Sequence, residues 1–291
     1  RGGGYTDTVG LTKSGVPGGA TGTFDDKWLD GLETPELGTK LVIDLAPDSV
    51  DGLFDVTVKA DGTGVTQHER DFKITVDRTK PVVSDLTPKS RLVQMNKDGS
   101  ASSRLTWAVT DNLTGVDAAN LQRRFGSSTT WYNVAGSGMT KADVLLRPGQ
   151  KNHFRVRAAD GAGNTKWSTS MKVKMRVRDS AASGWTRPSA WETVGNSSAY
   201  KGSILVAKGA TASLSTVFEG RAAAIAAAVG PGRGTFKVRV DGGPWETVSL
   251  KSSKAKHRKV VWVDTFESGS HTIEIRGVSG QSTFDALLWI R

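Results

Sequence analysis

Short alternating strands and the turns between them fill residues 184–291, and they constrain the fold more than any other feature. Turns rich in glycine, proline and aspartate occur at 230–234, 241–244 and 267–270. Glycine supplies positive φ in such turns and proline pre-sets φ, so each can join two strands tightly. Strands at this spacing, without long helical patterns, predict an all-β sandwich. The segments that read as strands are 210–218, 222–229, 235–240, 245–250, 258–266, 271–277 and 282–290.

One segment of this region conflicts with its neighbours. Residues 221–229 read Arg-Ala-Ala-Ala-Ile-Ala-Ala-Ala-Val, and alanine is the best helix former. The glycines on both sides, the shortness of the run and the surrounding strands favour a buried strand, whose small side chains admit close packing. A helix is the alternative, and it would undermine the sandwich assignment.

The first part of the chain contains two further alternating segments. Apolar and polar residues alternate at 54–58 and again at 72–76, which is typical of half-buried strands. The sequences of 53–62 and 72–81 resemble the bacterial immunoglobulin-like repeats of secreted surface proteins. This resemblance covers about residues 37–81 and implies an immunoglobulin-like domain over 1–80 with an irregular N-terminal part.

The middle of the chain carries a second set of motifs. Leu-Thr-Trp at 105–107 alternates, and 154–164 runs from an alternating strand into the turn Asp-Gly-Ala-Gly-Asn, ahead of Trp-Ser at 167–168. These motifs resemble a fibronectin type III domain over about 81–178. The resemblance implies a β-sandwich over 81–179 and says little about function, because sandwich folds support many functions.

The last segment resembles the jelly-roll-like β-sandwich modules that close many actinobacterial secreted proteins, including large subtilisin-like proteases. The resemblance implies a third domain over 184–291, and therefore an all-β chain of three tandem β-sandwiches: immunoglobulin-like, fibronectin type III-like and jelly-roll-like. It also implies carbohydrate or cell-wall binding and an extracellular or cell-surface location. The matching residues are 218–221, 230–234, 238–242, 258–262, 269–273 and 285–291.

Charge is distributed unevenly along the chain. The net charge is +10, made up of −5 over residues 1–80, +9 over 81–183 and +6 over 184–291. A basic body favours anionic partners such as wall polymers, nucleic acid or membrane surfaces, whereas dispersed surface charge is the simpler alternative. We expect no nucleic-acid partner because no recognised binding motif accompanies the charge. No apolar run approaches the roughly 20 residues that span a bilayer, so membrane insertion is not expected.

The sequence shows no catalytic constellation. Cysteine is missing, and the four histidines are scattered without a metal-binding spacing. Neither a nucleophile elbow nor a phosphate-binding loop occurs. We therefore predict no catalytic residues, no metal site, no cofactor and no enzymatic activity. Whether the loop carboxylates Asp44, Asp48, Asp51 and Asp55 bind calcium is left open. Hard cations need six to eight converging oxygens, and a sequence does not show which oxygens converge.

Aromatic residues give the better candidates for a site. The chain has nine tryptophans, and an exposed indole can stack on a sugar ring while an arginine donates hydrogen bonds. The alternative is that Trp185 and Trp191 clamp the sandwich edge, since large aromatic side chains are mostly buried. The predicted ligand-binding residues are Trp185, Trp191, Trp245, Arg221 and Arg233.

The function predicted from these features is that of an accessory region in a secreted or cell-surface bacterial protein. The first two domains would be spacers, and the last would bind a polysaccharide or cell-wall polymer. The alternative is a structural stalk or assembly subunit that holds a separately cleaved catalytic chain. The chain starts at Arg1 without an initiator methionine, which indicates a processed piece of a longer protein.

Overall fold

The structure, a computed structural model, is all-β, which confirms this part of the predicted fold class, while the three tandem sandwiches stay a prediction. Apart from a single 3₁₀ turn at Tyr200–Gly202, the regular elements in the described part of the chain are strands. That part contains no helix long and apolar enough to cross a bilayer. The described residues are 8–25, 28–30, 39–63, 66–89, 92, 94–136, 138–187, 190–210 and 212–291.

The chain divides into two compact units. The first consists of 1–82, 110–117 and 159–166, and the second consists of the remaining residues. In the first unit, four strands form a sheet in the order β3-β1-β5-β6, and β2 pairs with β4. The alternation at 54–58 and 72–76 falls within β5 and β6, as the sequence predicts. These strands are β1 (Thr8–Ser14), β2 (Ala20–Phe24), β3 (Trp28–Asp30), β4 (Leu41–Leu45), β5 (Gly52–Asp61) and β6 (His68–Val76).

The remaining strands complete the fold and follow in chain order. They are β7 (Val82–Val83), β8 (Thr87–Lys89), β9 (Ala101–Thr106), β10 (Val109–Thr110), β11 (Val116–Phe125), β12 (Tyr132–Ala135), β13 (Lys141–Leu146), β14 (Lys151–Asp160), β15 (Thr165–Trp167), β16 (Met171–Asp179), β17 (Trp191–Gly195), β18 (Ser203–Ala207), β19 (Ser213–Val229), β20 (Thr235–Val240), β21 (Glu246–Ser249), β22 (Lys256–Ser279), β23 (Thr283–Phe284) and β24 (Ala286–Ile290).

One large sheet organises the second unit. Its order is β12-β11-β14-β16-β24-β19-β22-β20-β21, with β15 added beside β14. The antiparallel pair of β16 with β24 places Met175 opposite Ile290, so the sheet continues from the middle segment of the chain into the last one. Two three-stranded sheets accompany it, in the orders β13-β9-β8 and β17-β18-β23.

The alanine-rich segment is a strand, as predicted over the helical alternative. It forms the second half of β19, and residues 222–229 are all buried. Successive side chains of a strand point to opposite faces, and here each face meets a core. Ala224 belongs to the core that contains Leu105 and Phe154, whereas Ile225 belongs to the core that contains Phe236. Close packing on both faces favours small side chains, and six of the eight residues at 222–229 are alanine.

Enlarging one of these alanines should therefore destabilise the chain. Ala224 is fully buried, so we expect Ala224→Leu to lower the free energy of unfolding by roughly 1–3 kcal/mol through overpacking. Urea denaturation would measure the change. Val217→Leu, on an exposed position of the same strand, should change stability by no more than about 0.5 kcal/mol. Equal losses in the two variants would contradict the account of a strand packed on both faces.

Two predicted breaks between strands are wrong. The segment 267–270, predicted as a turn, lies inside the 24-residue strand β22, and Gly220 lies inside the 17-residue strand β19. The two strands pair along almost their whole length, with Gly220 opposite Gly269 and a register shift beside them. Pairing stops at a bulge, where residues 266–268 have no partner on β19, and resumes beyond it. Cross-strand pairing on both sides of the bulge thus carries both strands past residues whose local preference is for a turn.

Candidate functional site

A polar cleft on the surface of the second unit has Trp245 at its edge. Residues on neighbouring strands build it by alternation: Leu214 and Ile275 turn into the core, so Ser213, Ser215 and Glu274 face outward. The cleft has a volume of about 320 Å³, at the lower end of the range for small-ligand sites. Its lining residues are Thr186, Ser213, Leu214, Ser215, Trp245, Glu274, Ile275 and Arg276.

A tight turn brings Trp245 to this position. Asp241 and Gly242, which join β20 to β21, both have positive φ, of 50° and 72°. Positive φ at both central residues marks the turn type that suits two-residue hairpins, and Asp-Gly is one of its preferred sequences. Trp245 follows the turn immediately before β21 and stays only partly buried. The ring is therefore fixed by the hairpin and also reaches solvent.

An arginine–glutamate pair lies beside this indole. Arg239 and Glu274 are cross-strand neighbours on β20 and β22, and Arg239 donates two hydrogen bonds of 2.8 Å to the two oxygens of Glu274. The hydrogen bond that Arg239 donates to Glu274 raises the pKa of Arg239. The Arg239 guanidinium also lies 4.4 Å from the centre of the Trp245 ring. Bidentate pairs hold both planar groups in one orientation.

The arrangement offers an apolar ring next to fixed polar groups. Trp245 presents a flat aromatic surface, Thr186 and the outward serines present hydroxyls, and Arg276 presents a guanidinium. A sugar has the same pattern, with C–H faces on its ring and hydroxyls around the rim. Sites that combine aromatic area with a few placed polar groups bind small polar ligands selectively.

The structure places the other predicted tryptophans in the core. Trp185 and Trp191 are each 8% exposed. The Trp185 indole N–H donates to the carbonyl of Asp179 at 2.9 Å, and its ring packs edge-on against Phe284 with 5.0 Å between ring centres. Trp191 begins β17, where it pairs with Ala207. These positions fit the alternative to ligand binding stated above, in which Trp185 and Trp191 clamp the edge of the sandwich.

The two predicted arginines also lie away from the Trp245 cleft. Arg221 donates to the carbonyl of Lys172 at 3.3 Å, and burial lowers the pKa of its guanidinium. Arg233 donates to the side-chain oxygen of Gln281 at 3.1 Å. Of the five predicted ligand-binding residues, Trp245 alone lines this cleft, and the role of the others stays a prediction.

His271 is held by two acceptors. Its Nδ1 lies 2.6 Å from Asp241 Oδ2 and its Nε2 lies 2.9 Å from the carbonyl oxygen of Glu267. Because both ring nitrogens face oxygen acceptors, the doubly protonated ring satisfies both contacts. The hydrogen bond to Asp241 raises the pKa of His271. The ring thus fixes the end of β20 to β22 and has no nitrogen left to act as a base.

Three carboxylates that the sequence did not predict to be neighbours meet in the first unit. One oxygen from each of Asp77, Asp111 and Asp160 lies within 4.8 Å of the other two. Asp77 accepts from the backbone N–H of Thr114 at 3.0 Å, and Asp160 accepts from that of Asn164 at 2.8 Å. Each aspartate lies at the end of a strand: Asp77 follows β6, Asp111 follows β10 and Asp160 ends β14. One oxygen from each carboxylate meets here, three in all, whereas calcium takes six to eight, and we assign the cluster no ligand.

Two of the carboxylates for which calcium binding was left open, Asp51 and Asp55, have other partners. Asp51 accepts from the backbone N–H of Arg78 at 3.0 Å and from the hydroxyl of Thr79 at 2.6 Å. Asp55 forms an exposed salt bridge of 2.6 Å with Lys73. Among the described residues, the acidic groups close enough to share a cation are those of Asp77, Asp111 and Asp160.

Comparison with known proteins finds similarity only among solved structures. No protein-family model and no curated protein matches the sequence. An exo-β-1,3-galactanase from Phanerochaete chrysosporium is 11% identical, with a TM-score of 0.34, over 82% of this chain and 78% of that one. A family two carbohydrate esterase from Cellvibrio japonicus is 21% identical, with a TM-score of 0.32, over 40% of this chain and 34% of that one. The chain thus spans about a third of the esterase. A Bacillus thuringiensis Cry1Da tryptic core variant is 10% identical, with a TM-score of 0.27, over 74% of this chain and 58% of that one.

These neighbours correct one prediction. The sequence predicts a chain without enzymatic activity, but two of the similar structures belong to enzymes, a galactanase and a carbohydrate esterase. The expectation of a non-catalytic chain is therefore withdrawn. At TM-scores of 0.34 and below, the likeness identifies no reaction and no catalytic residue in this chain.

Proposed function

We propose that this chain binds a carbohydrate in the Trp245 cleft. The observation that carries the proposal is a partly exposed indole fixed beside the bidentate Arg239–Glu274 pair, at the edge of a cleft lined by hydroxyls. A sugar ring can stack its C–H face on Trp245 while the polar groups bind its hydroxyls. Because the cleft is small, we propose recognition of one or two sugar units of a longer polysaccharide or cell-wall polymer.

The proposal also includes where the protein is located and what its preceding segments do. An extracellular or cell-surface location and the role of the preceding segments as spacers rest on the family resemblances described above. The division at 1–80, 81–179 and 184–291 stays a prediction. Its test is limited proteolysis: cleavage first within residues 180–183 would support a boundary there.

Removing the indole should weaken binding. We expect Trp245→Ala to reduce the affinity for neutral polysaccharides about tenfold or more, which corresponds to about 1.4 kcal/mol, because the stacking surface is lost. Isothermal titration against a soluble β-glucan, a galactan and a xylan would first show which one binds and then measure the loss.

The matched control is Trp167→Ala, which removes an exposed tryptophan that does not line the cleft. Its affinity for the same neutral polysaccharide should match that of the unchanged chain. Unchanged affinity in Trp245→Ala, or equal losses in both variants, would contradict the proposal. The proposal also fails if none of the three polysaccharides binds the unchanged chain.

A further inference from the structure

Arginines and tryptophans alternate in a row across the outer face of β11 and β14. Arg155 lies between two indoles, with its guanidinium carbon 4.1 Å from the ring centre of Trp131 and 3.7 Å from that of Trp167. Arg124 covers Trp131 at 5.2 Å, and Arg157 covers Trp167 at 5.6 Å. We call these five side chains the arginine–tryptophan row. None of them lines the Trp245 cleft.

The strand pattern fixes the row on the outside of the sheet. In β14, Phe154, Val156 and Ala158 are fully buried, so the intervening Arg155 and Arg157 point away from the core. Trp167 is 40% exposed. Arg155 also donates from Nε to the side-chain oxygen of Gln122 at 3.1 Å. The guanidinium groups are thus held in place before any ligand arrives.

This packing determines which parts of the arginines are available. A guanidinium stacked on a ring uses its flat face for that contact, and its N–H donors lie in the plane around the edge. Each indole, in turn, has two guanidinium groups within 5.6 Å of its ring centre, while Trp167 keeps 40% of its surface exposed. The row therefore presents oriented N–H donors beside the exposed part of the Trp167 ring.

The charge continues onto the neighbouring strand. The register of β14 with β16 places Lys172 opposite His153 and Lys174 opposite Lys151. Partial burial and then the nearby cations Arg124, Lys172 and Lys151 lower the pKa of His153. Partial burial and then Arg176 and other cations likewise lower the pKa of Lys174. The cations that the register brings together on this face repel one another, and an anion bound there would relieve the repulsion.

We propose that this face, formed by the arginine–tryptophan row together with Lys172 and Lys174, is a second binding site that takes an acidic polysaccharide. Its sulfate or carboxylate groups would accept hydrogen bonds from the oriented guanidinium edges and pair with the lysine ammonium groups. A flat sheet face matches an extended chain with charges at regular intervals. The 81–183 segment, which carries these residues, is also the most basic part of the sequence, with 16 basic and 7 acidic residues.

The same geometry disfavours nucleic acid as the ligand. Proteins that bind single strands stack the bases on open aromatic rings, whereas each indole of the row already has two guanidinium groups beside it. An acidic polysaccharide needs neither base stacking nor a groove.

The test uses the whole chain with heparin as the sulfated probe, polygalacturonate as the carboxylated probe and dextran as the neutral control. We expect one or both acidic probes to bind, with affinity that falls as salt rises because salt screens exposed charges. The double variant Lys172→Gln, Lys174→Gln should bind roughly tenfold more weakly. Arg124→Gln, at one end of the row, provides a second variant, and a thermal melt verifies that each is folded.

Two controls distinguish binding at this site from a general effect of net charge and from binding in the Trp245 cleft. Lys251→Gln, Lys254→Gln removes the same charge from exposed positions elsewhere and should leave affinity within about twofold. Trp245→Ala should leave heparin binding unchanged, so failure of one site does not imply failure of the other. Equal losses in the two lysine pairs would overturn the proposal. Displacement of heparin by duplex DNA at equal charge concentration, or no binding of either acidic probe, would overturn it as well.

Discussion

Replacing Asp285 with asparagine is expected to abolish most of the decrease in stability that the unchanged chain shows as pH rises from about 4 to about 7. Asp285 is 1% exposed, and this burial raises its pKa from 3.8 to about 7, with the nearby Asp179 charge adding to the effect. The carboxyl accepts a hydrogen bond of 3.0 Å from the backbone N–H of Tyr200. An asparagine side chain can accept the same hydrogen bond and carries no charge at any pH.

The direction in which the free energy of unfolding changes with pH follows from the raised pKa of Asp285. Below pH 3.8 the carboxyl is protonated in both the folded and the unfolded chain, and its contribution is constant. Between pH 3.8 and about 7 the unfolded chain loses the proton and the folded chain keeps it, so the free energy of unfolding falls as pH rises. At 1.36 kcal/mol for each pKa unit, the full loss is roughly 4 kcal/mol.

Denaturant titrations from pH 5 to pH 8 on the unchanged chain and on Asp285→Asn would measure this effect. Asp85→Asn, at an exposed position, should keep the pH dependence of the unchanged chain. A smaller slope should remain in Asp285→Asn above pH 6.5, because His271 also has a raised pKa and its protonated form is lost as pH rises. Identical slopes in the unchanged chain and in Asp285→Asn would contradict this account.

The second large effect is expected at Gly234. A Cβ atom added there would lie 1.7 Å from the backbone carbonyl oxygen of Ser279, and backbone cannot move aside as a side chain can. Gly234 also donates to the carbonyl of Gln281 at 3.1 Å and accepts from the N–H of Leu250 at 3.0 Å. Relieving the clash would break one of these bonds. We expect Gly234→Ala to cost roughly 3 kcal/mol or more.

Thermal unfolding of Gly234→Ala beside Gly195→Ala would check this expectation. Gly195 has no atom within 4 Å of its added Cβ, so alanine there should change stability by about 1 kcal/mol at most. A Gly234→Ala chain that melts at the temperature of the Gly195→Ala chain would show that the contact with Ser279 relaxes without cost.

Features that depend on local pattern were predictable from the sequence. The alternation at 72–76 gave β6, the glycine and aspartate at 241–244 gave a turn, and the burial of the alanine run followed from its neighbours. The predicted break at 267–270 failed because pairing between β19 and β22 outweighs local turn preference over a long strand pair. Local pattern therefore predicts the type of element better than its length.

Features that depend on which strands become neighbours were not predictable. Trp185 and Trp245 look alike in the sequence, yet one packs against Phe284 and the other lines a cleft. The contact between Trp131 and Trp167 through Arg155 requires three separate segments to meet. The spacing of these residues in the sequence does not predict that they come into contact. The contact follows from the order of strands in the sheet.

Strand β19 has a consequence for ligand recognition. It lines the Trp245 cleft at its beginning, through Ser213 and Ser215, and separates two cores at its end, where residues 222–228 are buried on both faces. Sliding or tilting this strand would disturb both cores. We therefore expect the backbone of Ser213 and Ser215 to stay in place if a ligand binds in the cleft.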